Sequence, residues 1–471
     1  MSEALPRGWV TVPLRSVGRW AGGGTPSKAE SRYWTNGTIP WVSPKDMKVA
    51  TLHDAEDHIT EEAVRESATR VIEAGSVLIV TRSGILQRIL PVAVNAVPVS
   101  LNQDMKAITP HDGVDERYLY WMLVWLGDEI LRTCTKSGTT VASVEITRLY
   151  ELPVPLAPLP EQRRIVAALE EHLSALDAAV AGLVRARANV GRYMQAVYDS
   201  ACTGMSAAEP SSGGGRDLPF GWAWSTPDGL RALADHALAI GPFGSNLKVS
   251  DYTSEGVPLV FVRNIRAERF DFERTPHVSV EKARQLTPHL VRPGDVLITK
   301  MGDPPGDSCL YPTGAPPAVI TADCIKWTVD TSKVMPEYAI CALRSSSVRA
   351  RILEMTKGVA QLKVSLARFR QLRMPLPPIE AQAEIVSNVD RQLSVCKRAA
   401  TDIDVQLARA ARLRQSILQR AFSGGLVPQD PADAPAAIAP EPDRTERASA
   451  PASSRPARGR GRKARTGSRR G

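Results

Sequence analysis

The sequence predicts an α+β protein in which two copies of one mixed α/β domain are each followed by a long helix, and the two helices form an antiparallel coiled coil. The first observation is a repeat: Leu5-Pro6-Arg7-Gly8-Trp9 restarts as Leu218-Pro219-Phe220-Gly221-Trp222. The second is a seven-residue apolar period in the stretch that closes each copy. A repeat of roughly 220 residues is longer than the 20 to 50 residues of a solenoid and indicates a duplicated domain.

The two copies align without gaps near their ends. Gly75–Ile79 also returns as Gly294–Ile298, and Ile39–Val42 as Val257–Val260. The matched end positions are Gly138, Val144, Ile146, Arg148, Leu149, Leu152, Pro155, Leu156 and Pro158, which correspond to Gly358, Val364, Leu366, Arg368, Phe369, Leu372, Pro375, Leu376 and Pro378. Two copies of one binding unit in a chain are typical of proteins that read two related sites on one ligand.

The first domain is predicted to span residues 1–154 and to mix short strands with one helix. The predicted strands are Val77–Val80, Val92–Val94 and Met105–Ile108, and the helix lies around Tyr118–Leu131. The glycines of Gly22–Ser27 predict a loop with positive φ angles. The second domain is predicted over residues 218–374.

A long helix is predicted over residues 155–204, beginning near Glu161 after a proline-rich stretch, and a second one over residues 375–425. Apolar residues recur every seven positions in both. The predicted seam consists of Leu169, Leu176, Leu183, Val190, Val197, Val389, Leu393, Ile403, Leu407 and Ile417. At 1.5 Å per residue, about 40 residues form a rod of about 60 Å, which would hold the two domains apart.

The remaining segments are predicted to lack regular structure. Residues 205–217 are rich in Ser and Gly and predict a flexible linker. Residues 426–471 are rich in Pro, Ala, Ser and Arg and predict a disordered tail. Eight basic residues and no acidic ones lie in Ala448–Gly471, so the net charge of +9 leaves only about +1 on the rest of the chain. The tail would either attract DNA or merely keep the protein soluble.

The sequence contains none of the common catalytic or metal-binding patterns. A phosphate-binding loop, a zinc-protease helix and a dinucleotide fingerprint are all missing. Asp303-Pro304-Pro305-Gly306 resembles the motif with which amino-methyltransferases hold a flipped base, but Gly306 lacks the aromatic ring, so a tight turn is predicted. We expect no catalytic residue and no metal site. Six scattered cysteines and the absence of a leader or a long apolar stretch predict a cytoplasmic protein without a membrane span.

Polar loop residues at matching positions of the two copies are candidates for DNA contacts, because Arg, Lys, Asn and Gln bind phosphates and base edges. For any single one of them an ordinary solvated loop residue is the favoured interpretation, and a cluster on one face would favour a DNA interface. The candidates are Lys45, Asp46, Arg82, Asn102, Gln103, Lys106, Lys136 and Thr139 in the first copy, and Arg263, Asn264, Lys300, Lys326, Lys357 and Gln361 in the second.

The order of domain, long helix, domain and long helix resembles the specificity subunit of a type I restriction-modification system. The most specific feature is residues 155–166, PLAPLPEQRRIV, which are similar to the proline-rich entry and helix start of that family. The resemblance covers about residues 5–425. The second copy has Ala381 where the first has Glu161, which predicts a less close contact at the start of the second helix.

The resemblance implies a non-catalytic subunit with two target recognition domains, each reading one half of an asymmetric bipartite target in double-stranded DNA. It also implies docking of two modification subunits that methylate adenine with S-adenosylmethionine, and of restriction subunits that use ATP and Mg. The chain itself would bind no cofactor. A rod with a reader at each end allows only certain half-site separations on the roughly 10 bp helical turn. The alternative is a standalone bivalent DNA-binding or scaffold protein; a fused enzyme is disfavoured because no catalytic constellation is present.

Overall fold

A computed structural model describes residues 5–136, 141–203, 218–265, 269–272, 275–356 and 362–438. The predicted linker 205–217 and the tail beyond residue 438 lie outside this part. The chain forms two compact units, one made of residues 1–175 and 412–471 and the other of residues 176–411. We refer to residues 5–158 as module 1, residues 218–378 as module 2, and Leu159–Thr203 and Ile379–Phe422 as the first and second long helices.

The described residues of module 1 form three sheets. A five-stranded sheet has the order Gly18–Gly22, Met105–Pro110, Val77–Val80, Val92–Asn95 and Thr51–Leu52. A four-stranded sheet has the order Asp57–Ile59, Ile39–Val42, Val99–Leu101 and Val71–Ile72. The third pairs Val10–Pro13 antiparallel with Pro153–Leu156, so the first strand of the module lies beside the strand that leads into the long helix. The three predicted strands are confirmed.

The helices of module 1 are Glu61–Glu66, Glu116–Trp125, Gly127–Cys134 and Ile146–Glu151. The single helix predicted around Tyr118–Leu131 is therefore two helices with a break at Leu126. The first begins at Asp115, whose carboxylate accepts hydrogen bonds from the backbone N–H groups of Arg117 (2.9 Å) and Tyr118 (3.0 Å).

Module 2 repeats this architecture with changes in its sheets. Its four-stranded sheet has the order Leu238–Ile240, Cys324–Trp327, Val296–Thr299 and Ser308–Leu310, and its five-stranded sheet has the order Tyr252–Thr253, His277–Val278, Val257–Val260, Ala318–Ile320 and Leu290–Val291. Two pairs complete it: Ala223–Ser225 with Met374–Leu376, and Met301–Gly302 with Leu362–Lys363. The helices are Val262–Ile265, Val280–Gln285, Pro336–Arg344, Ser346–Glu354 and Leu366–Arg370.

The long helices run antiparallel within the unit formed by residues 176–411. The Arg187 guanidinium contacts Asp404 at 3.1 Å, and the Tyr193 hydroxyl donates to Gln392 at 2.9 Å, so residue numbers rise on one helix as they fall on the other. The predicted seam positions are buried to different degrees. Leu169, Val197, Val389 and Leu393 are buried, and Leu176, Leu183, Val190, Ile403, Leu407 and Ile417 are half-buried.

The C-terminal end of the second long helix packs on module 1, and the C-terminal end of the first long helix packs on module 2. In the unit containing module 1, Phe422 of the second long helix contacts Tyr118 and Trp125. In the unit containing module 2, Val197 and Ala201 of the first long helix share an apolar cluster with Cys341. Each module thus contacts helical segments that come from both halves of the chain.

Part of the predicted disordered tail is ordered. Residues 426–438 follow the second long helix along module 1, where the Ala436 N–H donates to the Gly8 carbonyl oxygen at 2.9 Å. Arg164 binds Asp433 at 2.6 Å, and the Asp433 side chain is only 10% exposed. The prediction of disorder from residue 426 is wrong for this segment, because docking against a folded surface supplies contacts that a Pro- and Ala-rich composition does not reveal.

Candidate nucleic-acid interface

In module 1, the candidate residues follow strands that end at the same side of the module. The Asn102 N–H donates to the carbonyl oxygen of Val42 (2.8 Å), which joins the loop holding Lys45 to the loop holding Gln103. The Asp104 carbonyl oxygen accepts from the N–H groups of Thr81 (2.8 Å) and Arg82 (3.1 Å). Backbone hydrogen bonds therefore bring three separate candidate loops together.

Residues 135–136 and 141–143 lie on the same side of the module. The Ser83 N–H donates to the Ala142 carbonyl oxygen at 3.1 Å, and the Lys136 N–H donates to Ser143 at 2.9 Å. We call these segments, residues 23–27, 42–46, 81–83, 102–106, 135–136 and 141–143, the loop edge of module 1. Thr139 lies outside the described residues.

Gly23 lets the first loop cross this edge at close range. The adjacent Gly24 N–H donates to the Leu101 carbonyl oxygen at 2.8 Å. A Cβ on Gly23 would lie 2.0 Å from the Asn102 carbonyl oxygen, whereas none of Gly22, Gly23 and Gly24 has a positive φ. The predicted positive φ angles are therefore wrong: the glycines are needed for close backbone approach, which local sequence cannot distinguish from a turn.

Four candidate side chains on this edge are exposed: Lys45, Arg82, Gln103 and Lys136, while Lys106 is half-buried. Lys45 contacts Asp57 at 3.0 Å and Glu56 at 3.1 Å, and the hydrogen bond to Asp57 raises the pKa of the Lys45 ammonium. Gln103 accepts a hydrogen bond from the Thr25 hydroxyl. The edge therefore presents cationic and amide groups to solvent, with Lys45 already held by carboxylates.

Two other candidates of module 1 shape the loops. Asp46 accepts hydrogen bonds from the backbone N–H and hydroxyl of Ser43, both at 2.8 Å, and from the Glu56 N–H at 3.1 Å. The Asn102 side-chain oxygen accepts from the Asp104 N–H at 2.7 Å. Their side chains act as local turn supports, a use that is typical of Asp and Asn.

Module 2 builds the equivalent edge with the same kind of backbone contacts. The Thr321 N–H donates to the Val260 carbonyl oxygen (2.9 Å), and the Lys300 N–H donates to Asp323 (2.8 Å). Gly241 takes the place of Gly23, since its Cβ would lie 2.1 Å from the Thr321 carbonyl carbon. We call residues 241–245, 260–264, 300–303, 321–324 and 362–364 the loop edge of module 2. Lys357 and Gln361 lie outside the described residues.

Aromatic side chains accompany the cations on this second edge. The Lys300 ammonium donates to the Ala322 carbonyl oxygen (3.1 Å) and lies 4.8 Å from the ring centroid of Phe243, which is 58% exposed. The Arg263 guanidinium lies 4.2 Å from the ring centroid of Phe261. The sequence analysis did not include Phe243 among the candidates. The available signal was its position: Phe243 follows Gly241 by two residues, just as Thr25 follows Gly23 in the first copy.

Two candidates of module 2 are buried, which corrects the expectation that they lie on a solvated loop. Asn264 is 1% exposed, and its amide donates to the Asp271 carbonyl oxygen (2.6 Å) and accepts from the Phe261 N–H (2.8 Å). Lys326 is 7% exposed, donates to the Leu290 carbonyl oxygen, and has its pKa lowered by burial. Both support the loop edge from inside and have no access to DNA in this conformation.

The sequence analysis also missed a pair of contacts that join each module to its long helix. Gln162 is fully buried; its amide nitrogen donates to the carbonyl oxygens of Gly113 (2.9 Å) and Ala157 (2.8 Å), and its oxygen accepts from the Asp115 N–H (2.9 Å). The Tyr118 hydroxyl donates to the Pro155 carbonyl oxygen at 3.1 Å. We call Gln162 and Tyr118 the clamp of module 1.

The clamp of module 2 consists of Gln382 and Tyr338. The Gln382 amide donates to Lys333 (3.0 Å) and Pro377 (3.1 Å) and accepts from the Met335 N–H (2.7 Å). The Tyr338 hydroxyl donates to Pro375 at 2.9 Å. The prediction of a looser contact from Ala381 is therefore wrong, because the next residue, Gln382, makes the contact. The signal in the sequence was the spacing of 220 residues that separates Gln162 from Gln382 and Tyr118 from Tyr338.

The described part of the chain has neither a metal-binding cluster nor a membrane-spanning helix. No group of three or more His, Cys, Asp and Glu side chains there could hold a metal ion. The six cysteines are buried and unpaired by disulfides, and burial raises the pKa of the Cys202 and Cys341 thiols to about 12. None of the described helices combines the length and apolarity needed to span a bilayer.

Comparison with known proteins relates this architecture to one family. Residues 6–180 match the family described as type I restriction modification DNA specificity domain. The specificity subunit of the type I restriction enzyme EcoR124I/EcoR124II from Escherichia coli is 45% identical over 38% of this chain and 43% of that protein. The specificity subunit of MjaIX from Methanocaldococcus jannaschii is 32% identical over 35% of this chain and 38% of its own length. These alignments thus span less than half of either relative.

The fold is similar over a longer range. A chain solved in a study of complex assembly and conformational transition of the type I R-M system superposes with a TM-score of 0.72 at 19% identity, covering 90% of this chain and all of that one. At this identity the likeness concerns the fold. Residues 6–180 therefore belong to the type I restriction modification DNA specificity domain family, and over the aligned residues the chain is similar to the specificity subunits of type I restriction enzymes.

Proposed function

We propose that this chain is the DNA-recognition subunit of a type I restriction-modification complex and reads an asymmetric bipartite target, with one half-site for each module. The observation that carries this proposal is the repeated construction: each module gathers cationic side chains on one loop edge and is attached to a long helix by the same buried glutamine. Two readers attached to antiparallel helices select two short sequences at a set separation.

The composition of the loop edges supports direct contact with DNA. Arg82, Gln103 and Lys136 are exposed on module 1, and Arg and Gln make paired hydrogen bonds to guanine and adenine in the major groove. The exposed ring of Phe243 on module 2 suits apolar contact with a thymine methyl group.

The two half-sites should differ in sequence because the two edges differ at matching positions. Module 2 has Phe243 where module 1 has Thr25, and Met301 where module 1 has Arg82, since both residues pair with the same closing segment of their module. A guanidinium reaches two acceptors of one base in a fixed geometry, whereas a thioether has no hydrogen to donate. An asymmetric target follows from this difference, and a palindromic target would contradict it.

The catalytic steps in this proposal belong to other subunits. Two modification subunits would supply S-adenosylmethionine and methylate adenine, and restriction subunits would supply ATP- and Mg-dependent cleavage. The long helices and the outer faces of the modules would form the docking surface. The relatives named above are specificity subunits, which supports a non-catalytic role in such an assembly.

The test is to co-express the chain with its neighbouring modification subunit and to map methylated adenines across the genome. We expect a gapped, asymmetric motif that disappears when the chain is omitted. Methylation that is unchanged without the chain would overturn the proposal. In that case, tight binding of purified chain to DNA in the absence of any modification subunit would favour a standalone bivalent DNA-binding protein.

A further inference from the structure

We infer that Gln162 and Gln382 are positioning residues that determine how strictly the number of base pairs between the two half-sites is enforced. The inference rests on the proposed function. It concerns two side chains that are far from the loop edges and would not contact DNA, yet make identical sets of hydrogen bonds in both copies.

Each glutamine joins three backbone segments at the point where its module meets the long helix. Gln162 lies in the first turns of the helix and binds the entry loop through Ala157, as well as the turn before the next helix of the module through Gly113 and Asp115. With both amide hydrogens and the oxygen used, the side chain can occupy only one arrangement. The direction in which the module leaves the helix is set by this arrangement.

The distance between clamp and loop edge makes the angle important. The strand Met105–Pro110 begins at the loop edge of module 1 and ends three residues before Gly113, so the clamp and the edge lie at opposite ends of it. Six residues of strand measure about 20 Å. A rotation of about 10° at the clamp would move the far end by about 3.5 Å, close to the 3.4 Å rise of one base pair.

Apart from the glutamine, module 1 is held to the long helix by apolar packing, which resists translation of the module more than its rotation. Ile165 and Leu169 are fully buried on the same helix, and apolar contacts of this kind are non-directional. Hydrogen bonds restrict direction because they weaken steeply away from linearity. Loss of the amide should therefore leave the module folded and attached, with a wider range of angles.

The experiment compares Gln162→Leu and Gln382→Leu with the unaltered chain, each co-expressed with the modification subunit, by genome-wide methylation mapping. The readout is the ratio of methylation at the preferred spacing to methylation at spacings one base pair shorter or longer, with the half-site sequences kept. Gln406→Leu is the matched control, because this exposed glutamine lies on the second long helix away from both clamps. Tyr118→Phe is a milder variant that removes a single hydroxyl from the clamp.

We expect either glutamine variant to lower this ratio about ten-fold, the size of effect that one mismatched base pair typically has. Tyr118→Phe should lower it in the same direction by less, and Gln406→Leu should leave it unchanged. Some glutamine variants will be soluble and still support methylation of the preferred target. If the ratio is unchanged in such a variant and also in Tyr118→Phe, the inference is overturned. Methylation that does not depend on the chain at all would instead overturn the proposed function.

Discussion

Phe422, at the end of the second long helix, stacks on Trp125 of module 1 with ring centroids 5.1 Å apart and ring planes at 19°. The edge of Tyr118 completes the contact, with centroids 5.3 Å apart. The last helix of the chain is thereby attached to the first module, beside the clamp. This contact makes the stability of module 1 depend on residues that follow module 2 in the sequence.

Phe422→Ala should lower the free energy of unfolding by about 3 to 5 kcal/mol, because the ring is only 3% exposed and its removal leaves a cavity against two aromatic side chains. Urea unfolding followed by tryptophan fluorescence measures this loss. Leu413→Ala is the control on the same helix, since Leu413 is 49% exposed and should lose less than about 1 kcal/mol. Equal losses in the two variants would show that the contact does not stabilise the module.

Glu161→Gln should stabilise the protein more at neutral pH than at acid pH. Glu161 is 1% exposed, and burial raises the pKa of its carboxyl group, with opposition from Arg164. A raised folded-state pKa means that the folded protein binds the proton more tightly than the unfolded chain does. In the unaltered protein, the contribution of this bound proton to stability is complete below the ordinary pKa of 4.5 and is lost as the pH rises through the folded-state pKa.

The measurement for Glu161→Gln is the difference in Tm from the unaltered protein at about pH 4 and about pH 7.5. The difference should become more positive at the higher pH, since glutamine carries no charge into the buried site. Glu171→Gln, on an exposed position of the same helix, serves as the control and should show no such trend. Ala381 at the equivalent position of the second copy shows that this site does not require a carboxylate. A pH-independent difference for Glu161→Gln would contradict the prediction.

The sequence was sufficient to predict the duplication, three strands of module 1 and the two long helices, because their patterns are visible along the chain. It could not identify which polar residues face solvent. Arg263 and Asn264 are neighbours in the short helix Val262–Ile265, but the first is exposed and the second is buried and hydrogen-bonded. That difference depends on the Asp271 and Thr275 segments folding over Asn264, which no local pattern contains.

For the clamps, the motif at the start of the helix is visible in the sequence, but the hydrogen bonds that its glutamine makes are not. The sequence identifies Gln162 only as part of a helix start. In the structure, two of its three hydrogen bonds reach Gly113 and Asp115, which are distant in sequence. Residues 426–438 were likewise judged by composition, although they dock on Gly8 and Arg164. In each case, contacts between segments distant in sequence decide the outcome.

Gly23→Ala and Gly241→Ala should each disrupt the loop edge of their own module. The added Cβ would meet backbone atoms at 2.0 Å and 2.1 Å, and backbone cannot move aside as a flexible side chain can. We expect a loss of about 3 kcal/mol in thermal unfolding for each variant. Gly84→Ala is the control, because no atom lies within 4 Å of its added Cβ. Wild-type stability in either test variant would show that the loop can shift to relieve the clash.

Deleting Ala448–Gly471 should weaken binding to all DNA sequences alike and reduce the salt dependence of binding. The segment carries eight basic residues and no acidic ones, while the remainder of the chain is close to neutral. Each phosphate contact contributes about 0.9 to the slope of log K against log salt concentration, so loss of even two contacts lowers the slope by about 1.8. Fluorescence anisotropy on one target and one unrelated duplex, across a salt series, measures both effects. A second variant that keeps the length of the segment but replaces its Arg and Lys residues with Gln separates charge from chain length. If the slope is unchanged and only the solubility falls, the segment is a solubilising tail and its charges take no part in DNA binding.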